Sequence, residues 1–161
     1  MTKPLVFMMD RTPVMLPVDR LYARNHMWAI EQGGCLRFGL SAYAVRLLGE
    51  ICDLEWSVGP GAVLTQRQPI GSVEGAKAVS ELFAPLPGTL TQFNLDVVLE
   101  PELISSALYD TAWLFDLAGT ANGLMSPEQY LALLHSNWPV ARSMLRGPSG
   151  SEEKWCGKDE G

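Results

Sequence analysis

The chain has few residues of the kinds from which catalytic and metal sites are built. Its two histidines, His26 and His135, lie far apart, and neither has a cysteine or an acid at the spacing of a known motif. The sequence also has no nucleophile elbow, no phosphate-binding loop and no zinc-peptidase helix. We therefore expect no catalytic residue and no metal site.

Cysteine pairs and long apolar runs are also missing. Cys35, Cys52 and Cys156 include no C-x-x-C pair, so they indicate neither a disulfide framework nor a zinc site, and we expect reduced thiols. The longest uninterrupted apolar runs, such as Leu5–Met9, have five residues, whereas a helix needs ~18 or more to cross a bilayer. Asp10 ends that run below the length of a signal-peptide core. These absences predict a cytoplasmic protein without a membrane partner.

Positive charge is in short supply. Twelve lysines and arginines face eighteen acids, which gives a net charge of −6 and a pI near 4.8. Proteins that bind nucleic acids release counterions from phosphates through clustered basic side chains, and this chain has no such cluster. Nucleic acid is therefore excluded as the expected partner.

What the chain does contain indicates one folded, turn-rich domain. Its 161 residues fall within the usual range for a single domain, and 47% are hydrophobic. Fifteen glycines and eleven prolines are spread along the chain, which favours a β architecture of short strands. Residues 1–18 hold three prolines and predict an irregular arm or an edge strand; residues 19–146 form the expected domain, and 147–161 a flexible tail.

Short β-like runs alternate with turn signals through the domain, and two helices interrupt them. Ser41 is placed to cap a short helix that ends at Gly49, and Ser126-Pro127-Glu128-Gln129 has the form of a capping box. The second helix should pack by Tyr130, Leu133 and Leu134, and Pro139 should kink or end it. The predicted strands are 27–31, 35–40, 51–56, 63–66, 69–74, 79–83, 89–94 and 113–117.

One segment is echoed later in the chain. The Pro-Gly turn and extended run at 60–66 return at 87–92, with Lys77 between the two copies. The repeat is consistent with two similar sheets related by a pseudo-twofold axis, joined by a hairpin whose tip lies near 74–78. Lys77 would then be exposed, with Val73, Val79 and Leu82 in or beside the core. Pro-Gly is a common turn dipeptide, so chance repetition is the alternative.

Several ordered blocks between Tyr22 and Tyr130 resemble the H protein of the glycine cleavage system, a lipoyl carrier. The most specific is Glu74-Gly75-Ala76-Lys77-Ala78 followed by Val79–Gly88, which is similar to that family's lipoylation hairpin. The other blocks are Asn25–Trp28, Ser41–Ala44, Leu48–Ile51, Pro101–Ile104 and Tyr109–Trp113. A biotin carrier would instead be expected to have methionines beside the lysine, where this chain has Ala76 and Ala78.

The resemblance implies a fold, a cofactor and a set of partners. The fold is a mostly β barrel-sandwich hybrid of the lipoyl-domain type, with two small sheets, a short internal helix and a C-terminal helix. The cofactor is lipoic acid in amide linkage to Lys77, and the chain is a carrier subunit and not an enzyme. The implied recognition residues for a lipoate ligase or lipoyl transferase are Glu74, Gly75, Ala76 and Ala78, and the implied contacts for the arm or a partner are His26, Ser80 and Glu81.

By the same resemblance, the carrier moves an aminomethyl group from a glycine decarboxylase to an aminomethyltransferase and is reoxidised by dihydrolipoyl dehydrogenase. Three departures from the family pattern keep alternatives open: Met27 replaces an acid, Gly75-Ala76 replaces Ser-Val, and Asp110-Thr111-Ala112 replaces Gly-Glu-Gly. One alternative is a related carrier that serves a sulfur-oxidising heterodisulfide-reductase-like complex or relays lipoyl groups. The other is an unmodified binding scaffold.

Overall fold

A computed structural model describes residues 3–145 of the chain, and strands make up most of it. In chain order the elements are β1 (Leu5–Met9), β2 (Thr12–Leu16), β3 (Leu21–Tyr22), β4 (Met27–Gln32), β5 (Cys35–Leu40), α1 (Ala42–Leu48), β6 (Ile51–Trp56), β7 (Val63–Leu64), β8 (Pro69–Gly75), β9 (Val79–Phe83), β10 (Gly88–Phe93), α2 (Leu95–Leu99), α3 (Leu103–Ser106), β11 (Phe115–Ala118) and α4 (Pro127–Leu145). No helix in this part of the chain combines the length and the apolar character that crossing a bilayer requires.

Two sheets enclose the main core. The larger has the order β3-β4-β5-β11-β10-β7, and the smaller has the order β6-β8-β9. Both contribute to one buried cluster, in which the Phe38 and Phe115 rings of the large sheet stack at 5.3 Å. Trp56 of β6 stacks on Phe93 of β10 at 4.5 Å and so joins the two sheets. The mostly β prediction, with two packed sheets, is confirmed.

The repeated Pro-Gly segments pair with each other, which corrects the prediction that they belong to separate sheets. Strands β7 and β10 are antiparallel neighbours in the large sheet, with Leu64 opposite Gly88 and Val63 opposite Thr89. Before β7, the Ala62 carbonyl accepts a hydrogen bond of 2.9 Å from the Leu90 amide. A turn followed by a short extended run specifies local conformation only, so similar segments need not occupy equivalent places.

The N-terminal segment is a β-hairpin, so of the two predicted forms the irregular arm is wrong for residues 5–16 and the edge strand is observed. Strands β1 and β2 pair in register from Leu5 opposite Leu16 to Met9 opposite Thr12. Asp10 has φ 57°, which suits the tight turn between them. The inward residues Phe7, Val14 and Leu16 are buried against α1 and α4. The predictions for residues 1–2 and 147–161 lie outside the described residues.

The predicted capping box starts α4. The Ser126 hydroxyl accepts from the Gln129 amide at 3.1 Å, and the Gln129 side chain accepts from the Ser126 amide at 2.9 Å. Tyr130 and Leu134 are fully buried, whereas Leu133 is only half-buried. Of the two predicted effects of Pro139, a kink or an end, the end is not observed, because the helix continues through this residue. The helix predicted after Ser41 is α1, with Ser41 as its N-cap and Gly49 as its C-cap.

The thiols differ from one another. Cys35 in β5 is free and half-buried, as expected. Cys52 in β6 is disulfide-bonded, so the expectation of a reduced thiol is wrong there. Cys156 lies outside the described residues.

Candidate functional site

Lys77 lies at the tip of the hairpin formed by β8 and β9. Glu74 pairs with Val79, and the Gly75 amide donates to the Ala78 carbonyl at 2.9 Å, so only Ala76 and Lys77 form the loop. Two-residue loops usually need a residue with positive φ, and neither of these has one. The Lys77 side chain is exposed. Bonds from outside the hairpin must therefore help to hold this loop.

Those bonds come from the end of α1. The Leu48 carbonyl accepts from the Lys77 amide at 2.8 Å and from the Ala78 amide at 3.3 Å, and the Glu50 carbonyl accepts from the Ala76 amide at 2.9 Å. The last carbonyls of a helix have no partner within the helix, so the loop satisfies acceptors that would otherwise need water. The backbone of Lys77 is thus fixed on two sides, while its side chain is exposed.

Two glycines make this close approach possible. A Cβ on Gly75 would lie 2.2 Å from the Leu48 carbonyl oxygen, and a Cβ on Gly49 would lie 2.9 Å from the Lys77 amide nitrogen. Gly49 also has φ +82°, a conformation that side-chain-bearing residues rarely adopt. The replacement of serine by Gly75, noted in the sequence as a departure, therefore has a structural reason in this chain.

The predicted recognition residues surround the lysine. Gly75 is buried, and Glu74, Ala76 and Ala78 are half-buried. Val73 and Leu82, further from the tip, lie in the core as predicted. Val79 does not: it is 52% exposed, which corrects its prediction, because it points outward on an edge strand of the three-stranded sheet.

His26, Ser80 and Glu81, predicted as arm or partner contacts, line one cavity of about 270 Å³. Leu48, whose carbonyl holds the lysine loop, lines the same cavity, so the cavity and the support of the loop share this residue. Its other walls are mostly apolar: Met27, Leu40, Ala44, Leu47, Val73 and Leu82. The chain thus brings the exposed lysine, an apolar cleft and a few polar side chains together. We refer to this space as the arm cleft.

His26 joins the arm cleft to the core behind it. Its Nδ1 lies 2.9 Å from the Tyr130 hydroxyl, which lies 2.7 Å from the Ser41 hydroxyl. The Ser41 amide donates to the His26 carbonyl at 2.9 Å. Burial lowers the pKa of His26 to about 4, because a charged imidazole would lose its hydration there. The imidazole is therefore neutral near pH 7.

The sequence did not indicate that α1 would hold the lysine loop. The helix and its C-cap glycine were predicted, but a glycine at a helix end has a sufficient local explanation in its positive φ. The contact between residues 48–50 and 76–78 depends on the pairing of β6 with β8, which brings Ile51 opposite Gly75. The one sequence feature that pointed to this contact was the presence of Gly49 and Gly75, which lie beside the two segments that the pairing brings together.

Comparison with known proteins gives a consistent result. Residues 20–137 match the family model described as glycine cleavage H-protein. The glycine cleavage system H protein of Geobacillus kaustophilus (strain HTA426) is 36% identical over 124 residues, covering 74% of this chain and 96% of the relative. That of Bacillus velezensis (strain DSM 23117 / BGSC 10A6 / LMG 26770 / FZB42) is 36% identical over 118 residues, covering 71% and 92%.

A solved structure is also similar. The crystal structure of a glycine cleavage system H protein from Mycobacterium marinum superposes with a TM-score of 0.64 at 29% identity, covering 76% of this chain and 98% of that one. The β1–β2 hairpin precedes the residues matched by the family model. The lysine hairpin and the arm cleft fall within them, and α4 continues past their end to Leu145.

Proposed function

Because the chain belongs to the glycine cleavage H-protein family, we propose that it carries lipoic acid as an amide on the Nζ atom of Lys77. Members of this family are lipoyl carriers, so the chain is a carrier subunit and not an enzyme. The observation that carries the proposal is the placement of Lys77: an exposed side chain on a backbone held by three hydrogen bonds to residues 48 and 50.

The residues present fit a lipoyl group. When bound, its dithiolane supplies a disulfide that takes up a substrate group together with two electrons. The chain itself fixes the point from which the arm starts, and tethering raises the effective concentration of the reactive end near each partner. Small neighbours, Ala76 and Ala78, leave room for a modifying enzyme, and Glu74 offers that enzyme an acid to recognise.

We place the end of the arm in the arm cleft between its encounters with partners. The apolar walls would shield it from water, and His26, Ser80 and Glu81 would offer polar contacts at the margin. Methyl NMR of the protein with and without the adduct, in oxidised, reduced and substrate-loaded forms, tests this. At least one form should shift the methyl signals of Ala44, Leu47 and Val73, whereas exposed Val140 on α4 should not respond. Equal shifts of all four methyl signals, or no shift of any, would contradict the placement of the arm in the cleft.

Intact-protein mass spectrometry tests the attachment site. Protein made in a lipoylating host should gain one lipoyl adduct, and Lys77→Arg should gain none. Lys3→Arg, which changes another exposed lysine, should keep the adduct and serves as the control. If a known carrier is modified under the same conditions and this chain is not, the carrier proposal fails.

For the pathway, we propose that the carrier shuttles an aminomethyl group between glycine decarboxylase and aminomethyltransferase, with reoxidation by dihydrolipoyl dehydrogenase. The family membership supports this assignment. Lipoylated protein mixed with its cognate decarboxylase should support exchange of bicarbonate with the carboxyl group of glycine. Without exchange in a preparation whose adduct is confirmed, the pathway assignment would be wrong.

The departures in sequence favour a second candidate, a carrier for a sulfur-oxidising complex or a lipoyl relay. The burial of the substituted residues limits how many of them could contact a different partner. Met27 is 1% exposed and Ala112 is buried, so neither can face a partner directly, whereas Asp110 and Thr111 are exposed. Asp110 and Thr111 therefore alter the outer surface, as does half-buried Ala76 at the hairpin tip, and the exchange assay separates the two pathways.

A further inference from the structure

We propose that a second cavity, next to the arm cleft, binds a carboxylate-rich segment of a protein partner through Arg24 and Arg67. This basic cavity encloses about 870 Å³ and is lined by both arginines together with Gln66 and Phe83. The inference builds on the proposed function, because the partner meant is one that engages the lipoyl arm.

The charge of the cavity is opposite to that of the chain. The net charge is −6, yet within residues 3–145 no acidic side chain lines this cavity. The ion pairs of the described residues use Arg20, Arg37 and Arg142, and leave out Arg24 and Arg67. Two exposed guanidinium groups with no carboxylate partner among residues 3–145 attract an anionic group and orient it by paired hydrogen bonds.

The backbone holds Arg67 in an unusual conformation. Its φ is +69°, which is rare and unfavourable for a residue with a side chain, and its amide donates to the Ala84 carbonyl at 3.0 Å. In the other direction the Ala84 amide donates to the Gln68 carbonyl at 2.8 Å. The loop that carries Arg67 is therefore fixed against the end of β9. Backbone strain of this kind persists only where the surrounding structure enforces it. Here the enforced conformation fixes the position of the Arg67 backbone, and with it the start of a cationic side chain, at the cavity wall.

The basic cavity and the arm cleft share a wall. Asn25 and Phe83 line both spaces, and the Asn25 side-chain amide donates to the Phe83 carbonyl at 2.9 Å. A partner that covers the mouth of the arm cleft therefore meets the basic cavity as well. Phe83, 36% exposed between the two, adds an apolar contact beside the charges. An aromatic residue with neighbouring arginines is typical of protein interfaces, which favours a protein segment over a free small anion.

Fluorescence anisotropy with labelled hexaglutamate tests the inference on protein whose lipoyl content has been measured by mass. The wild type should bind the peptide saturably at low salt. Arg24→Gln/Arg67→Gln should weaken binding about tenfold, as expected for the loss of two exposed charge contacts. Lys3→Gln/Arg11→Gln removes the same net charge from exposed positions at the N-terminal hairpin and should change affinity less than about twofold.

Two further measurements complete the design. Hexaglutamate should inhibit the bicarbonate exchange reaction of the wild type with its decarboxylase, and should lose this effect with Arg24→Gln/Arg67→Gln. Inorganic phosphate at equal ionic strength should compete no better than chloride. Absence of saturable peptide binding, equal weakening in both double variants, no inhibition of exchange, or displacement by phosphate alone would each overturn the inference. Peptide binding requires no adduct, so a protein that binds hexaglutamate but carries no lipoyl group would refute only the proposed function.

Discussion

Acid should destabilise this protein through His26 at pH values well above those at which most carboxylates titrate. Burial lowers the pKa of the imidazole from 6.5 to about 4 in the folded protein. Below pH 6.5 the unfolded chain therefore binds a proton that the folded chain does not, and stability falls as the pH falls until it passes the folded pKa. A shift of this size corresponds to about 3 kcal/mol in total, of which about 2 kcal/mol is lost between pH 7.5 and pH 5.

Urea melts at pH 7.5 and pH 5 measure this loss. His26→Asn removes the titrating group, and asparagine tolerates the φ of 71° at this position better than most residues. The wild type should lose about 2 kcal/mol more than His26→Asn between the two pH values. His135→Asn, a change at an exposed position of α4, should retain the wild-type difference. If wild type and His26→Asn have the same pH dependence, the imidazole is not held neutral in the fold.

Three other changes test the packing and the hairpin, each by urea melts at pH 7.5. Leu134→Ala should cost about 2 to 5 kcal/mol because the side chain is fully buried, and Leu133→Ala should cost less than half as much because it is half-buried; equal losses would contradict the orientation of α4. Gly75→Ser should cost about 1 to 3 kcal/mol because its Cβ would press on the Leu48 carbonyl, whereas Gly59→Ser, which points into open space, should stay within about 0.5 kcal/mol; a neutral Gly75→Ser would mean that α1 and the hairpin separate freely. Lys77→Ala should change stability by less than about 0.5 kcal/mol while abolishing the adduct, and a larger loss would make the lysine structural.

Local signals in the sequence were sufficient for the elements that have a strong period or a defined cap. The strands from β4 to β11 lie within a few residues of their predicted bounds, and α1 and α4 begin at their predicted caps. The short helices α2 and α3 were missed, because helices of five and four residues contain too little of a 3.6-residue period to be recognised.

The N-terminal hairpin shows where such reasoning misled. Its prolines predicted an irregular arm or an edge strand without deciding between them, but Pro4 and Pro17 lie outside the strands, and Pro13 is exposed on a strand of a two-stranded sheet. Proline is acceptable where its missing amide would have faced solvent. The alternation of buried Phe7 with exposed Val6 and Met8 was the more informative pattern. The buried face of the hairpin packs against α1 and α4, so the fold is needed to explain it.

The candidate site divides into a part that sequence patterns can indicate and a part that only the fold supplies. A lysine between small residues in a turn can be recognised from the sequence, whereas the hydrogen bonds that hold its loop in place cannot. The support comes from Leu48 and Glu50, over twenty residues away, and it requires glycine at positions 49 and 75. A carrier needs a long mobile arm on an immobile root, because motion of the root would dilute the reactive end over a larger volume and lower its effective concentration at a partner. The structural constraint therefore falls on the two glycines, and under the proposed function Lys77 itself only carries the arm.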